Sequence, residues 1–182
     1  MQKKVQIISD GSLDLPQELT KEKDIEVVPF YVSFDSQTYK KEMVEQDVRE
    51  FYQEMVDHPT VFPKTSMPSV NDFYELFKKH AEENLPVICI CITRKFSGSL
   101  QSATTAKDMV LEDIPDAQIT VIDSTVNTVL QGLYVLEACR LRDMGLEYQQ
   151  IVDALLPIRE TGRIFFTIGS IDYLKHGGRI GK

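Results

Sequence analysis

Residues 87–92 read VICICI and residues 119–123 read ITVID. Both runs are apolar and rich in β-branched residues. A strand with one wet face alternates apolar with polar residues, whereas a strand covered on both faces reads as a nearly continuous apolar run. The two stretches therefore predict strands buried beneath helices on either side. Working outward, strand patterns recur at Val5–Ser9, Glu26–Val32 and Ile164–Ile168. Helical patterns fall between them, at Pro16–Lys21, Gln46–Asp57, Leu100–Leu111, Val129–Met144 and Tyr148–Ile158. Another is expected to start from Ser69 as N-cap and run to about Glu83, with Asp72 placed three residues on as in a capping box. Gly145 suits a helix stop. Alternation of strand and helix predicts an α/β fold, a Rossmann-like parallel sheet flanked by helices.

With 182 residues, the chain suits one domain, or one and part of a second. The formal charge of −8 argues against a nucleic-acid binder, which needs a basic footprint to neutralise phosphates. The apolar run near the N-terminus is too short for a signal-peptide core. No apolar stretch approaches the roughly 20 residues of a membrane-spanning helix. Cys89, Cys91 and Cys139 form no CxxC, and the three histidines are scattered, so metal-ligand spacing is absent and no cofactor is expected. Reduced thiols point to a cytoplasmic setting.

In open parallel sheets, ligands sit beyond the carboxyl ends of the strands. Asp10, Gly11 and Ser12 follow the first strand. Thr93–Leu100 (TRKFSGSL) follows VICICI and leads into a helix. Asp123, Ser124 and Thr125 follow ITVID, and Lys64–Ser69 (KTSMPS) precedes another helix. Hydroxyls and N–H groups at helix starts suit an anion, because dipole and donors point the same way. Each cluster also has a plainer reading. Asp10 and Ser12 are common turn and cap residues, Ser69 reads as a cap, and Ser97-Gly98 is evenly balanced between turn and site. The segment at 176–181, HGGRIG, lacks the spacing of a phosphate-binding P-loop. Ser97 sits in F-S-G-S rather than the G-x-S-x-G elbow of a hydrolase.

Taken together, SDGSLDLP, IEVVPFYVSF, KTSMPSVNDFYELF, FSGSLQSA, VIDS with QGL, and IDYLKHGGRIG resemble the DegV family in order and spacing, from the first strand to the last residue. The resemblance implies a bacterial two-domain protein that holds a long-chain fatty acid in a tunnel between its domains. It would present the acid to a separate ATP-dependent fatty acid kinase, whose acyl phosphate product enters phospholipid synthesis. By resemblance, the hydroxyls of Thr65 and Ser97 bind the carboxylate, with the Gly98 N–H nearby, and Arg179 borders the head group. Asp10, Ser12, Ser66, Arg94 and His176 form a second tier of candidates. Phe30, Phe96, Leu100 and Ile168 are candidates for the tail channel.

The sequence departs from the family pattern at three places. Gly11 stands where a hydroxyl residue is common, Arg94 stands where serine is usual, and family members continue for about another hundred residues. The expected division is therefore an α/β domain over 1–160 and the beginning of a second domain over 161–182. The expected consequences are an open ligand site in the 182-residue form and self-association through its end. The resemblance makes the chain a lipid-binding protein rather than an enzyme. An acyl hydrolase using Ser97, a relative of the dihydroxyacetone kinases, and a fragment without ligand remain as alternatives. A histidine poised at Ser97 would favour the hydrolase.

Overall fold

The computed structural model describes residues 5–167, 169 and 171–178. In chain order the elements are β1 (Gln6–Asp10), α1 (Gln17–Glu22), β2 (Ile25–Val28), β3 (Tyr31–Ser33), β4 (Lys40–Lys41), α2 (Val48–Asp57), β5 (Lys64–Ser66), α3 (Val70–Glu82), β6 (Val87–Cys91), α4 (Ser99–Asp113), β7 (Ile119–Asp123), α5 (Thr128–Asp143), α6 (Tyr148–Ile158) and α7 (Asp172–His176). They divide into two compact units. One comprises residues up to Val28 together with Pro68–Ile164, and the other comprises Pro29–Met67 together with the residues from Phe165 onward. The second unit thus combines residues from both sides of the expected 160/161 boundary.

The first unit is built on a four-stranded, all-parallel sheet in the order β2-β1-β6-β7. Its two apolar layers follow from the period-2 geometry of a strand. Ile88 and Ile90 of β6 join Ile7, Ile122 and the α5–α6 residues Val135, Ala138, Ile151 and Leu155 in one core cluster. Val87, Cys89 and Cys91 face the other way, with Ile8, Phe73 and Phe77 of α3, and Ala103, Ala106 and Val110 of α4. The two β6 cysteines share a face as expected, with their sulfurs 3.7 Å apart. Apolar side chains fully removed from water on both sides of the sheet contribute roughly 1.5–3 kcal/mol each before the entropy cost of ordering them. That double burial is what the unbroken VICICI run encodes.

Local signals set the helix ends. Ser69 caps α3, and the reciprocal bonds with Asp72 complete the capping box. Asp47 caps α2 by accepting from the N–H groups of Arg49 and Glu50. Gly145 follows α5 with φ 88°, in the left-handed region where glycine carries no Cβ penalty.

Three expectations change. The run Glu26–Val32 is not one strand. It breaks at Pro29, which has no N–H for a ladder, and the chain resumes as β3 in the second unit. There β3 lies between β4 and β5, antiparallel to both. The segment 64–66, singled out as preceding a helix, is the strand β5, paired from Lys64 with Ser33 to Ser66 with Tyr31. Ile164–Ile168 was also expected as a strand. Residues 164–167 are irregular, joining no ladder, and Phe165 is 94% exposed. An apolar run alone does not make a strand where no neighbouring edge completes its hydrogen bonds. Ile168 lies outside the described residues. Among the described residues, no helix is long and apolar enough to cross a membrane.

One ion pair ties the edge strand to a covering helix. Glu26 of β2 accepts from His80 of α3 at 2.8 Å and pairs with Lys79 at 3.2 Å. The bond from His80 is the main cause holding the Glu26 carboxyl down, at about 2. A carboxylate depressed in the folded state stabilises the fold above its unfolded pKa, and that contribution fades as pH falls through the folded value. We expect the advantage of the native protein over Glu26→Gln, on the order of 1 kcal/mol at neutral pH after solvent screening, to shrink between about pH 4.5 and 2. Denaturant titrations of both proteins across that range check this, and parallel stability curves would contradict it.

Candidate functional site

The carboxyl ends of β1 and β6 meet the starts of α4 and α5 in one polar network. At its centre is Asp10, the last residue of β1, which is fully buried. One carboxylate oxygen, Oδ2, accepts from the Ile92 N–H at 3.0 Å and from Ser99 Oγ at 2.7 Å. The other, Oδ1, accepts from Gln131 Nε2 at 2.8 Å and from the Ser12 N–H at 3.3 Å. Gln131 Nε2 also reaches Ser9 Oγ at 3.1 Å, and Ser9 donates onward to the Ile90 carbonyl at 2.8 Å. Burial pushes the Asp10 carboxyl up from its ordinary range, and the four donors oppose that shift. Ser9, Ser99 and Gln131 are themselves buried, so the network is a closed structure beneath the surface.

Above it runs the turn from Thr93 to Gly98. The Thr93 carbonyl accepts from the N–H groups of Phe96 at 2.9 Å and Ser97 at 3.3 Å, curling the loop back on itself. Gly98 occupies the N-cap position of α4. Ser97 Oγ accepts from the Ser99 N–H at 3.2 Å, which leaves its own hydrogen available to donate. The first-turn N–H groups of a helix have no intrahelical acceptor, and the helix dipole places partial positive charge at that end. The start of α4 therefore offers a hydroxyl and backbone donors suited to an anion such as a carboxylate.

The other candidates divide between the units. Ser12 lies on the turn Gly11–Leu13, its N–H on Asp10. Arg94 is largely solvent-exposed, with its Nε 3.7 Å from Asp123 Oδ2, and an ion pair so exposed contributes little. Asp123 also accepts from the Thr125 N–H at 2.9 Å. Leu100 is partly buried against the α3–α4 cluster, whereas Phe96 is exposed. In the second unit, Thr65 sits on β5 opposite Val32, and Ser66 opposite Tyr31. Both Thr65 and Ser66 are exposed, and Phe30 is partly buried. His176 of α7 stacks on Phe62, ring centroids 3.8 Å apart and planes 6° apart, and pairs through Nδ1 with the Asp172 carbonyl at 2.8 Å. His80 is committed to Glu26. Arg179 lies outside the described residues.

Sequence reasoning singled out Ser97 and Asp10 but missed Ser99, which joins them, and Gln131, which holds the other Asp10 oxygen. Their signals were the FSGSLQSA and QGL signatures. Gly132 lies where a Cβ would stand 2.4 Å from the Leu13 carbonyl oxygen and 2.7 Å from Leu15 Cδ2. Its missing side chain lets α5 close on the turn after β1, and that approach brings Gln131 to Asp10.

The chain matches the family model described as uncharacterised protein, DegV family, over residues 4–182. It is 34% identical over 179 residues to a DegV domain-containing protein of Caldanaerobacter subterraneus, covering 98% of this chain and 61% of that one. Among solved structures, it resembles a fat acid (stearic acid)-binding protein from Eubacterium ventriosum, with TM-score 0.93 and 48% identity over 98% of this chain and 61% of the other. It also resembles a DegV family protein from Thermus thermophilus reported for fatty acid binding, with TM-score 0.82 and 30% identity over 98% of this chain and 61% of that one. The chain thus spans about three fifths of the length of these relatives.

Because backbone and side-chain atoms meet the Gly132 position well below contact distance, Gly132→Ala is expected to cost about 1–3 kcal/mol as α5 is pushed off the β1 turn. The midpoint of a denaturant titration measures this. An unchanged midpoint would show that the helix has room to shift.

Proposed function

Since the chain belongs to the DegV family, we propose that the protein binds a long-chain fatty acid through its carboxylate and presents it to a separate, ATP-dependent fatty acid kinase. The observation that carries this reading is the start of α4. There, the Ser97 hydroxyl keeps a hydrogen to donate beside the first-turn N–H groups, in a chain 48% identical to a stearic acid-binding protein. A carboxylate accepts several donors at once, and charge-assisted hydrogen bonds are the stronger kind. Ser97 and Gly98 are proposed as first contacts, Thr65 as the second hydroxyl, and Arg179 as the cation bordering the head group. Residues 161–182 are proposed to open a second domain. The protein is proposed to act in the cytoplasm.

Division of labour with a kinase would suit the chemistry, because phosphorylating a carboxylate requires a cradle for the nucleotide phosphates and a site for its metal ion, and the P-loop form of that cradle is not among these 182 residues. The carrier's part is to hold the carboxylate by donors that do not react, leaving its oxygens open to a phosphoryl group supplied from outside.

Replacing Ser97 by Ala removes one charge-assisted bond, on the order of 1.5–3 kcal/mol, and should weaken fatty-acid affinity about 10- to 100-fold. Competition with a fluorescent long-chain fatty acid on the full-length protein measures this, and an unchanged Kd would remove Ser97 from the site. In a second assay, radiolabelled ATP and fatty acid should yield acyl phosphate only when a fatty acid kinase is added. Product formed by the full-length protein alone would overturn the carrier role.

A further inference from the structure

Asp10 poses a question that its burial alone does not answer. Burying a carboxylate beneath three polar side chains is no route to stability in itself, because well-packed apolar residues of similar volume often do as well or better. The geometry of the bonds is informative. Ile92 and Ser99 stand at the two ends of the 93–98 turn, and both donate to the same atom, Asp10 Oδ2, at 3.0 and 2.7 Å. One oxygen, fixed on the rigid first strand of the sheet, closes the base of the loop that carries Ser97. The other oxygen is held by Gln131 and the Ser12 N–H, so the carboxylate plane cannot turn without losing bonds on both sides. The chain of support then runs upward, from Asp10 to Ser99 and from the Ser99 N–H to Ser97 Oγ at 3.2 Å.

We propose that Asp10 is a positioning residue for the carboxylate-binding turn, clamping its two ends through Oδ2 so that Ser97 and the start of α4 are preorganised for the ligand. This rests on the reading of Ser97 and Gly98 as the carboxylate site. Asp10 itself touches no ligand, because its oxygens are enclosed by protein donors. A binding turn held in advance loses less entropy on binding than one that must be ordered by the ligand. Removing the clamp is therefore felt as lost affinity as well as lost stability.

The test uses the full-length protein with three variants of the clamp, one control variant and two readouts. Ser99→Ala removes the 2.7 Å bond while leaving a good helix former at the first position of α4. Asp10→Ala removes the whole clamp, and Asp10→Asn keeps a carbonyl oxygen to accept from Ile92 and Ser99 while setting an NH2 donor against the Ser12 N–H and Gln131. Glu26→Gln, at the strand–helix ion pair away from the turn, serves as a control for stability loss alone. The first readout is Kd for a fluorescent long-chain fatty acid, measured on protein shown to be folded. Ser99→Ala should weaken binding roughly tenfold, the equivalent of about one hydrogen bond to a charged group. Asp10→Asn, which keeps one side of the clamp, should recover part of what Asp10→Ala loses, and Glu26→Gln should bind as the native protein does. The second readout is amide exchange without ligand. The amides of Ser97, Gly98 and Ser99 should exchange roughly tenfold faster in Ser99→Ala, again about one lost bond, while those of β6 do not change. Native affinity and native exchange in folded Ser99→Ala would overturn the proposal. If the native protein binds no fatty acid, the proposed ligand is wrong, and exchange at 97–99 still decides whether the clamp exists.

Discussion

A carboxylate that leaves water must be met by donors, and at Asp10 nearly every feature near the upper edge of the sheet serves that requirement. Two of its four donors are backbone N–H groups, from Ser12 and Ile92. They fix how the chain turns after β1 and after β6. The other two are side chains, Ser99 and Gln131, and they fix where α4 and α5 begin to cover the sheet. The demand extends to the residues behind the donors. Gln131 reaches Asp10 only because Gly132 lets α5 lie against the Leu13 carbonyl. Such a network favours one arrangement, because turning the Asp10 carboxylate would leave its buried donors unmet, even though Gln131 Oε1 is itself buried without a hydrogen-bond partner.

Beneath it, the sheet supplies rigidity. The strands β1, β6 and β7 are parallel. β1 and β6 are buried on both faces, and β7 is buried at Ile119 and Ile122 and partly buried between them. Their carboxyl ends therefore emerge at fixed positions. Parallel strands joined through helices bring these ends to the same edge, which is why turns far apart in sequence, after Asp10, Cys91 and Asp123, gather in one place. The helix α4 adds direction, since its N-terminal end carries donors and partial positive charge where a carboxylate can be received. Arg94 contributes little to this field at rest, being exposed and offset by Asp123.

Much of this was legible in the sequence. VICICI and ITVID could be read as doubly covered strands because their apolar character does not alternate, and Ser69 and Asp72 could be read as a capping box because that motif is local. Pro29 was less legible as a break, because apolar residues continue on both sides of it. Only pairing reveals that Tyr31–Ser33 belongs with Lys64–Ser66 rather than with Ile25–Val28. Ile164–Ile168 misled for the complementary reason, since composition suggests a strand but a partner edge must complete it. At the site, Ser97 and Gly98 stood out through chemistry and motif. Ser99 and Gln131 did not, because a serine at a helix start and a glutamine inside a helix have ordinary roles in most sequences. Their role appears only when residues 10, 99 and 131 meet in space.

The central claim is that a fatty-acid carboxylate is received at the start of α4. It is tested most directly by loading the full-length protein with a fatty acid labelled with carbon-13 at its carboxyl carbon and determining the structure of the complex, with the labelled resonance followed by NMR. The account predicts a single bound resonance, shifted from that of the free acid, with the carboxylate within hydrogen-bond distance of Ser97 Oγ and the Gly98 N–H. A bound acid whose carboxylate lies away from residues 97 and 98 would contradict it.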